Sequence, residues 1–270
     1  MKTKYIASCS GGKDSTANII LAYENNEPLD LIIFSEVMYN KNISGELPEH
    51  IEFIKNVLFP TFESWGYKTK ILHSDKTYID CFNKIVENPR KNIQNKGKKK
   101  GFPMVGHCNI NRDCKTKAVH DFYKKVYKKG YDVVQYVGIA VDEEKRLERI
   151  KISNIKKVSL LEKYNLTEEQ AKQKCIDYGL LSPVYSLSGR GGCWFCPNAK
   201  IKEIEHLYDN YPHLLKKLCD LEKQDNLVVD KWKDINNTRI NDVVEQIINK
   251  RKSKKMLYDY LKNNNFHFRG

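Results

Sequence analysis

The stretch SCSGGKDST, residues 8–16, comes directly after the apolar residues Tyr5, Ile6 and Ala7. Two adjacent glycines end a strand and expose backbone N–H groups, and a lysine, an aspartate and three hydroxyl side chains share the turn. Residues 15–26 then have the apolar spacing of a helix. Because the N–H groups of a glycine turn and a helix N-terminus both carry partial positive charge, this order predicts a phosphate-binding loop. A plain glycine turn with a capping aspartate or serine is the alternative.

The rest of the first half alternates short apolar strands with helices, which predicts an α/β fold with a doubly wound parallel sheet. Ligands of such sheets bind at the carboxyl ends of the strands, where residues 10–15 and 138–143 both fall. After about residue 150 the pattern becomes mainly helical, and Thr167 with Gln170 forms a capping box. We therefore expect a nucleotide-binding domain over residues 1–150 and a small, mostly helical region over residues 151–270.

The sequence SGGKDS resembles the PP-loop, SGGxDS, of the N-type ATP pyrophosphatases and the related phosphoadenosine phosphosulfate reductase family. The resemblance covers most of residues 1–200 and implies a Rossmann-like sheet of the adenine nucleotide alpha-hydrolase-like type. It implies that the loop holds the pyrophosphate or sulfate end of an adenine nucleotide, with Lys13, Asp14 and Ser15 taking part in catalysis. The implied loop residues are Ser10, Gly11, Gly12, Lys13, Asp14 and Ser15.

A second motif, GIAVDEEKRLERI, spans residues 138–150 after the fourth predicted strand. Acidic side chains there suit Mg²⁺ or a ribose, and arginines three apart on one helical face suit phosphate. The alternative to ligand binding is that these charges only stabilise the helix, because acidic residues at its N-terminus and basic residues at its C-terminus interact favourably with the helix dipole. The segment resembles the Gly-Ile-Arg motif of the same family, with Ala140 where that arginine is expected. Its candidate nucleotide-binding residues are Gly138, Asp142, Glu143, Arg146 and Arg149.

Two cysteine pairs predict a metal site. Cys108 and Cys114 have five residues between them, and Cys193 and Cys196 form a C-x2-C with Pro197 after it. Four thiolates suit a 4Fe–4S cluster or Zn²⁺, and four unliganded thiols are the alternative. The reductase-like family has a cysteine pair before a helix and a later C-x2-C, which in many members bind a 4Fe–4S cluster, so we favour the cluster. His107 is a further potential ligand.

Composition limits the class of partner. The 270 residues carry a net charge of +13, and lysines cluster at residues 96–100, 112–129 and 250–255. Clusters of one sign favour a polyanion such as DNA or tRNA, although a lysine-rich composition alone gives a basic surface. No apolar run has the length of a membrane span, and the first residues lack the apolar stretch of a signal peptide. We expect a cytoplasmic protein.

These features lead to one functional hypothesis and two alternatives. Assimilatory reductases of the family use a C-terminal Cys-Gly-x-His nucleophile, and this chain ends in NNNFHFRG. The resemblance therefore points to members that use ATP and Mg²⁺ to adenylate an oxygen for exchange by sulfur or nitrogen, such as DNA phosphorothioation and tRNA thiolation enzymes. A sulfur-donor protein would then be a partner. The alternatives are an adenylyl-sulfate or phosphoadenylyl-sulfate reductase and a non-catalytic, nucleotide-sensing nucleic-acid-binding module.

Overall fold

The computed structural model describes residues 2–106, 108–187 and 191–263. By contacts within the chain these fall into two units, Met1–Cys81 with Asn109–Trp194 (unit 1) and Phe82–Cys108 with Phe195–Gly270 (unit 2). The strands are β1 (Lys2–Ser8), β2 (Leu31–Glu36), β3 (Thr69–His73), β4 (Lys99–Gly101), β5 (Tyr131–Tyr136), β6 (Lys156–Val158) and β7 (Leu227–Val229). The helices are α1 (Lys13–Glu24), α2 (Pro48–Phe53), α3 (Phe59–Ser64), α4 (Tyr78–Phe82), α5 (Lys117–Lys128), α6 (Glu144–Lys151), α7 (Leu160–Lys163), α8 (Glu168–Asp177), α9 (Val184–Leu187), α10 (Ile201–Asn210), α11 (Pro212–Glu222) and α12 (Ile240–Asn263).

Unit 1 contains a five-stranded parallel sheet in the order β3-β2-β1-β5-β6. Ile6 of the central strand β1 lies opposite Leu31 of β2 on one side and opposite Gln135 of β5 on the other. The chain winds outward from β1 in one direction to β3, and returns to add β5 and β6 on the opposite side. The switch point of the topology therefore lies between β1 and β5, and their carboxyl ends border the same crevice.

The two faces of this sheet are covered by different helices, as a doubly wound fold requires. Ala7 and Val134 belong to the cluster that contains Ile19 and Ile20 of α1, all of them buried. Ile6 and Val133 point to the opposite face and pack in the cluster that contains Tyr123 of α5. Successive residues of a strand alternate between faces, which explains the division. The α/β fold class and the doubly wound sheet are confirmed.

The helical stretch from α2 to α3 is continuous but changes its hydrogen-bond pattern. A π-helical turn, Ile54–Leu58, lies between the two α-helices. Pro60, the second residue of α3, has no N–H to donate to the carbonyl four residues earlier. The hydrogen-bond ladder before it widens to the π pattern over Ile54–Leu58. The sequence predicts one helix with a kink here, and the structure places the change before the proline.

Unit 2 combines the short parallel pair β4 and β7 with helices α10, α11 and α12. Leu207, Leu218 and Ile240 are buried there. Glu222, itself only 6% exposed, accepts hydrogen bonds from the backbone N–H groups of Ile240 (2.8 Å) and Asn241 (3.1 Å). A carboxylate at this position satisfies the otherwise unpaired N–H groups at the start of α12.

The expected boundary at residue 150 differs from the division in the structure. β6 pairs with β5, and α8 packs on α1, so much of the segment 151–187 completes unit 1. Residues 82–108, expected to be a short helix end and a loop, belong instead with unit 2. Within the described ranges, no helix is both long enough and apolar enough to cross a bilayer.

Candidate nucleotide site

The predicted loop lies where a phosphate-binding loop should lie. Residues 10–15 connect the carboxyl end of the central strand β1 to the first turn of α1. Gly11 has a φ of +71°, and a Cβ added there would lie 2.8 Å from Cε1 of His50 and 2.9 Å from the side chain of Ile54. Both the backbone conformation and the lack of space exclude other residues, so glycine at this position is required by geometry.

Hydroxyl groups hold the loop in shape. Ser15 Oγ accepts a hydrogen bond from the Ser10 N–H and donates one to the Gly12 carbonyl oxygen, both at 3.0 Å. The hydroxyls of Ser10 and Ser15 lie 3.1 Å apart, and Gly12 N–H donates to Ser10 Oγ at 3.3 Å. Ser15 is buried, so in this state it fixes the turn from the inside. A direct part for Ser15 in catalysis stays a prediction.

A buried histidine that has no part in either sequence motif, His50, supports the loop at residues 10–15 through hydrogen bonds. His50 is 2% exposed; its Nε2 lies 2.9 Å from the Ser10 carbonyl oxygen and its Nδ1 lies 2.8 Å from Ser182 Oγ. A carbonyl only accepts, so Nε2 carries the proton and Nδ1 accepts from the serine hydroxyl. His50 therefore ties the loop to the segment that precedes α9.

Replacing His50 by alanine should lower the free energy of unfolding by about 2 kcal/mol, because the buried Ser182 hydroxyl and the Ser10 carbonyl both lose a hydrogen bond. His50→Gln places an amide donor near the Ser10 carbonyl and should recover part of that loss. Urea denaturation of the three proteins measures both effects. Equal losses in the two variants would contradict the proposed support of the loop by the Nε2 hydrogen bond.

Lys13 is held by carboxylates. Its Nζ lies 2.8 Å from Asp14 Oδ1 and 3.0 Å from Glu168 Oε2, and its side chain is 14% exposed. Burial lowers the pKa of Lys13, but the two carboxylates outweigh burial, and the net pKa is raised. The pKa of Asp14 is also raised, mainly by burial and further by Glu168 and Glu143, against the opposing effect of Lys13. Lys13 thus remains a cation at neutral pH.

The carboxylates around Lys13 form a trio. One oxygen from each of Asp14, Glu143 and Glu168 lies within 4.8 Å of the others. Hard oxygen ligands of this kind suit Mg²⁺, which usually binds through one or two carboxylates together with substrate phosphates. The donor set therefore fits the expected Mg²⁺, and it includes Glu168, which the sequence analysis missed.

The motif after β5 meets the loop directly. A Cβ added to Gly138 would lie 2.3 Å from the carbonyl carbon of Asp14 and 2.5 Å from the backbone nitrogen of Ser15. No side chain fits there, so Gly138 permits the two loops to touch at the switch point between β1 and β5. The two motifs that the sequence analysis assigned to the nucleotide converge here.

Comparison with known proteins gives a weak structural similarity. No protein-family model and no curated protein matches this sequence. The chain is similar to the U34-tRNA thiolase NcsA from Methanococcus maripaludis, solved with its [4Fe-4S] cluster. That match has 16% identity and a TM-score of 0.42, and it covers 80% of this chain and 68% of that one. The resemblance to the PP-loop and phosphosulfate reductase-like proteins is supported by the order of the observed parallel sheet and by the sequence and position of residues 10–15.

The other predicted residues of the second motif have different positions. Asp142 accepts from the Glu168 N–H, with its two oxygens 3.1 and 3.3 Å from that nitrogen, and so caps α8 rather than joining the trio. Arg146 pairs with Glu143 and is half exposed. Arg149 is exposed and, among the described residues, makes no ion pair. Ala140 is fully buried, so position 140 presents no side chain to the site.

Two residues from the second half of the chain contact the backbone of Lys13. Tyr185 Oη accepts a hydrogen bond from the Lys13 N–H at 2.8 Å, and Cys175 Sγ lies 3.2 Å from the Lys13 carbonyl oxygen. Burial raises the pKa of Cys175 to about 12, so its thiol keeps the proton that it donates to that carbonyl. Both residues are positioned by the segment that follows residue 150, in α8 and α9.

The four predicted metal ligands divide between the units: Cys114 and Cys193 belong to unit 1, and Cys108 and Cys196 belong to unit 2. Within unit 1, Cys114 Sγ lies 3.6 Å from the Sγ of Cys81, and both residues are buried. The hydrogen bond between them raises the pKa of Cys114, with burial adding to it, and lowers the pKa of Cys81. His107 lies outside the described residues. The quartet stays a prediction.

Proposed function

We propose that this chain is an enzyme of the PP-loop class that binds Mg²⁺-ATP at residues 10–15 and adenylates a substrate oxygen. The oxygen attacks the α-phosphorus, the bond between the α-phosphorus and the bridging oxygen breaks, and pyrophosphate leaves. Sulfur or nitrogen then replaces the activated oxygen, with adenosine monophosphate as the second leaving group. The observation that carries the proposal is the contact of Gly138 with the backbone of Asp14 and Ser15, which joins both nucleotide motifs at the switch point.

The charges of the site favour a metal-bound nucleotide. Asp14 and Glu168 pair with Lys13, and Glu143 pairs with Arg146, so three carboxylates meet two cations and the site keeps a small acidic excess before any ligand enters. A polyphosphate without a cation would meet net repulsion there, whereas Mg²⁺ bridges carboxylates and phosphates. Phosphoadenylyl sulfate is not a polyphosphate of that kind, so the carboxylate trio supports ATP over the reductase substrate.

Each residue of the nucleotide site has a proposed role that follows from its position. Lys13 would stabilise the charge that develops on the departing pyrophosphate, because its ammonium is fixed in place before the reaction. Asp14, Glu143 and Glu168 would hold the Mg²⁺ ion, which supplies charge neutralisation when bound. Ser10 and Ser15 would keep the loop in the conformation that meets the phosphates. Gly11 would let the loop pack against His50 and Ile54 in that conformation.

Binding of Mg²⁺-ATP should weaken in acid earlier than an ordinary aspartate would predict. The raised pKa of Asp14 means that this carboxylate is protonated at a higher pH than usual, and a protonated carboxyl is a poor Mg²⁺ ligand. The affinity for Mg²⁺-ATP should be highest above the pKa of Asp14 and should fall as the pH drops through that pKa. Calorimetric titrations across pH measure this step, which Asp14→Asn should remove. An unchanged pH step in Asp14→Asn would assign it to another group.

The acceptor is proposed to be a nucleic acid, DNA or tRNA. In unit 1 a groove of about 930 Å³ beside α5 is lined by six lysines and His73 among other residues, and the aspartates that line it are paired with lysines. A row of like charges suits a phosphate backbone. The lysines of this groove are Lys70, Lys117, Lys124, Lys125, Lys128 and Lys129.

We propose that the cysteine quartet holds a 4Fe–4S cluster, with Zn²⁺ as the alternative, in an enzyme that takes sulfur from a donor. The quartet consists of Cys108, Cys114, Cys193 and Cys196. Cys193→Ser should reduce the iron content of anaerobically purified protein to a small fraction, because serine is a poor ligand for iron–sulfur clusters. Cys219→Ser is the matched control, since burial raises the pKa of Cys219 to about 11 and keeps it a thiol. Elemental analysis decides between iron and zinc, and unchanged metal in Cys193→Ser would contradict the quartet.

The reaction itself is tested by following pyrophosphate. Protein purified without oxygen is incubated with ATP, Mg²⁺ and sulfide, with tRNA or DNA added in separate reactions. We expect pyrophosphate release that depends on one of the two nucleic acids. Nucleic-acid binding that falls with salt, with no pyrophosphate released in any mixture, would instead indicate a nucleotide-sensing binding module.

A further inference from the structure

A second cavity of unit 1 lies on the opposite face of the sheet from α1. It has a volume of about 530 Å³ and is bordered by α5, by the sheet and by the segment that leads into β6. We call it the α5 pocket. None of residues 10–15 lines it, and its size falls in the range of small-molecule sites. Its lining includes Ser8, Gln135, Tyr123, Lys115 and Lys157.

The floor of the α5 pocket is polar where the strand pattern calls for apolar residues. Ile6 and Val133 pack in the core on this face, and two residues further along each strand the same face presents Ser8 and Gln135. Gln135 is 8% exposed, and its Nε2 donates to Ser8 Oγ at 2.6 Å. This pair places amide and hydroxyl groups at the bottom of the cavity, near the carboxyl ends of β1 and β5.

Tyr123 adds a buried hydroxyl to the pocket. The residue is 1% exposed, and its Oη has no hydrogen-bond partner among the described residues. Burial raises the pKa of this phenol; Ser8 is close enough to oppose that rise, although no hydrogen bond of ordinary geometry joins the two. A buried polar group without a partner costs about 1–3 kcal/mol, and Tyr123 Oη has almost no accessible surface, so a small movement of this side chain toward a ligand in the cavity would relieve that cost.

The rim of the pocket is basic. Lys115 and Lys157 are half-buried, and neither makes an ion pair with a described residue; Lys124 and His120 line the same cavity. No aspartate or glutamate lies among the described lining residues. Unpaired, half-buried lysines around a polar floor suit a phosphate.

We propose that the α5 pocket binds a nucleoside phosphate, either free or as one unit of a nucleic acid chain. A glutamine amide and a tyrosine hydroxyl match the hydrogen-bonding edge of a base, Tyr127 on the lining offers a ring for stacking, and the lysines match the phosphate. The proposal uses no residue of the loop at 10–15 or of the carboxylate trio, and it shares Lys124 with the basic groove of the proposed function.

The test uses the full chain carrying Lys13→Ala, so that binding at residues 10–15 is disabled. Uridine monophosphate and a short fluorescein-labelled single-stranded RNA are titrated separately. Lys157→Gln is the informative variant, and Lys156→Gln is its matched control, since the neighbouring residue of β6 points to the opposite face. Tyr123→Phe removes only the unpartnered hydroxyl, so thermal unfolding should be unchanged or occur at a higher temperature.

We expect Lys157→Gln to weaken binding about tenfold, the effect of one charge-assisted contact, and Lys156→Gln to leave it unchanged. Tyr123→Phe should weaken binding while the protein stays folded. Binding of uridine monophosphate with these effects supports a free nucleotide as ligand, and binding of the RNA alone supports a unit of a chain. No binding of either probe, or equal effects of Lys156→Gln and Lys157→Gln, would overturn the proposal.

Discussion

Replacing Lys13 by alanine should reduce ATP-dependent pyrophosphate release by about a hundredfold or more, with the fold retained. Lys13 is a cation beside the carboxylate trio, and its Nζ is fixed by Asp14 and Glu168. Without it the departing pyrophosphate loses a preorganised charge, and the trio repels the nucleotide more strongly. The loss should appear both in the turnover rate and in the affinity for Mg²⁺-ATP.

The control for this change is Lys172→Ala, a partly exposed lysine of α8 whose ion pair among the described residues is with the exposed Glu169. Surface pairs of this kind contribute little, so activity should stay within about twofold of the parent protein. Circular dichroism and thermal unfolding of Lys13→Ala check the fold. A collapse of stability in Lys13→Ala would mean that the lysine holds the loop together, and full activity in a folded variant would contradict its role at the phosphates.

The second large effect is expected at Gly138. An alanine there would place its Cβ 2.3 Å from the Asp14 carbonyl carbon and 2.4 Å from the carbonyl oxygen, both backbone atoms. One of the two loops must move, which should cost about 3 kcal/mol of stability. A displacement of about 1 Å at the phosphates should lower the affinity for Mg²⁺-ATP on the order of a hundredfold.

Gly191→Ala is the matched control for Gly138→Ala. The same methyl group added at Gly191 would meet His50 Nε2 at 3.6 Å, an ordinary van der Waals distance. Chemical denaturation and calorimetry with Mg²⁺-ATP compare the two variants. If both glycine variants bind Mg²⁺-ATP as the parent does, the contact between the loops at the switch point has no part in nucleotide binding.

The sheet could be predicted because its signals are local. Buried parallel strands appear as short apolar runs, and the glycine turn after β1 marks the ligand end of the sheet without any knowledge of distant contacts. The capping box of Thr167 with Gln170 is confirmed for the same reason, since it involves residues three apart. β6, with the sequence KKV, carries no apolar run, and only its pairing with β5 makes it a strand.

The site was predicted only where its residues are close in sequence to a motif. Glu168 lies 155 residues from Lys13, and Tyr185 and His50 also reach the loop through the fold. Glutamate at the start of a helix is common, so nothing in the sequence around Glu168 distinguishes a ligand from a surface residue. Arg149 shows the reverse case, because its spacing suits a phosphate and the helix places it on the surface.

The choice between the two nucleotides is measured most directly by calorimetry. Protein purified without oxygen is titrated with ATP, with and without Mg²⁺, and separately with phosphoadenylyl sulfate. The arrangement of Lys13 among Asp14, Glu143 and Glu168 predicts saturable binding of ATP that requires Mg²⁺ and is lost in Lys13→Ala. Tight binding of phosphoadenylyl sulfate without Mg²⁺, together with no binding of ATP, would contradict the proposed activation chemistry and favour a reductase.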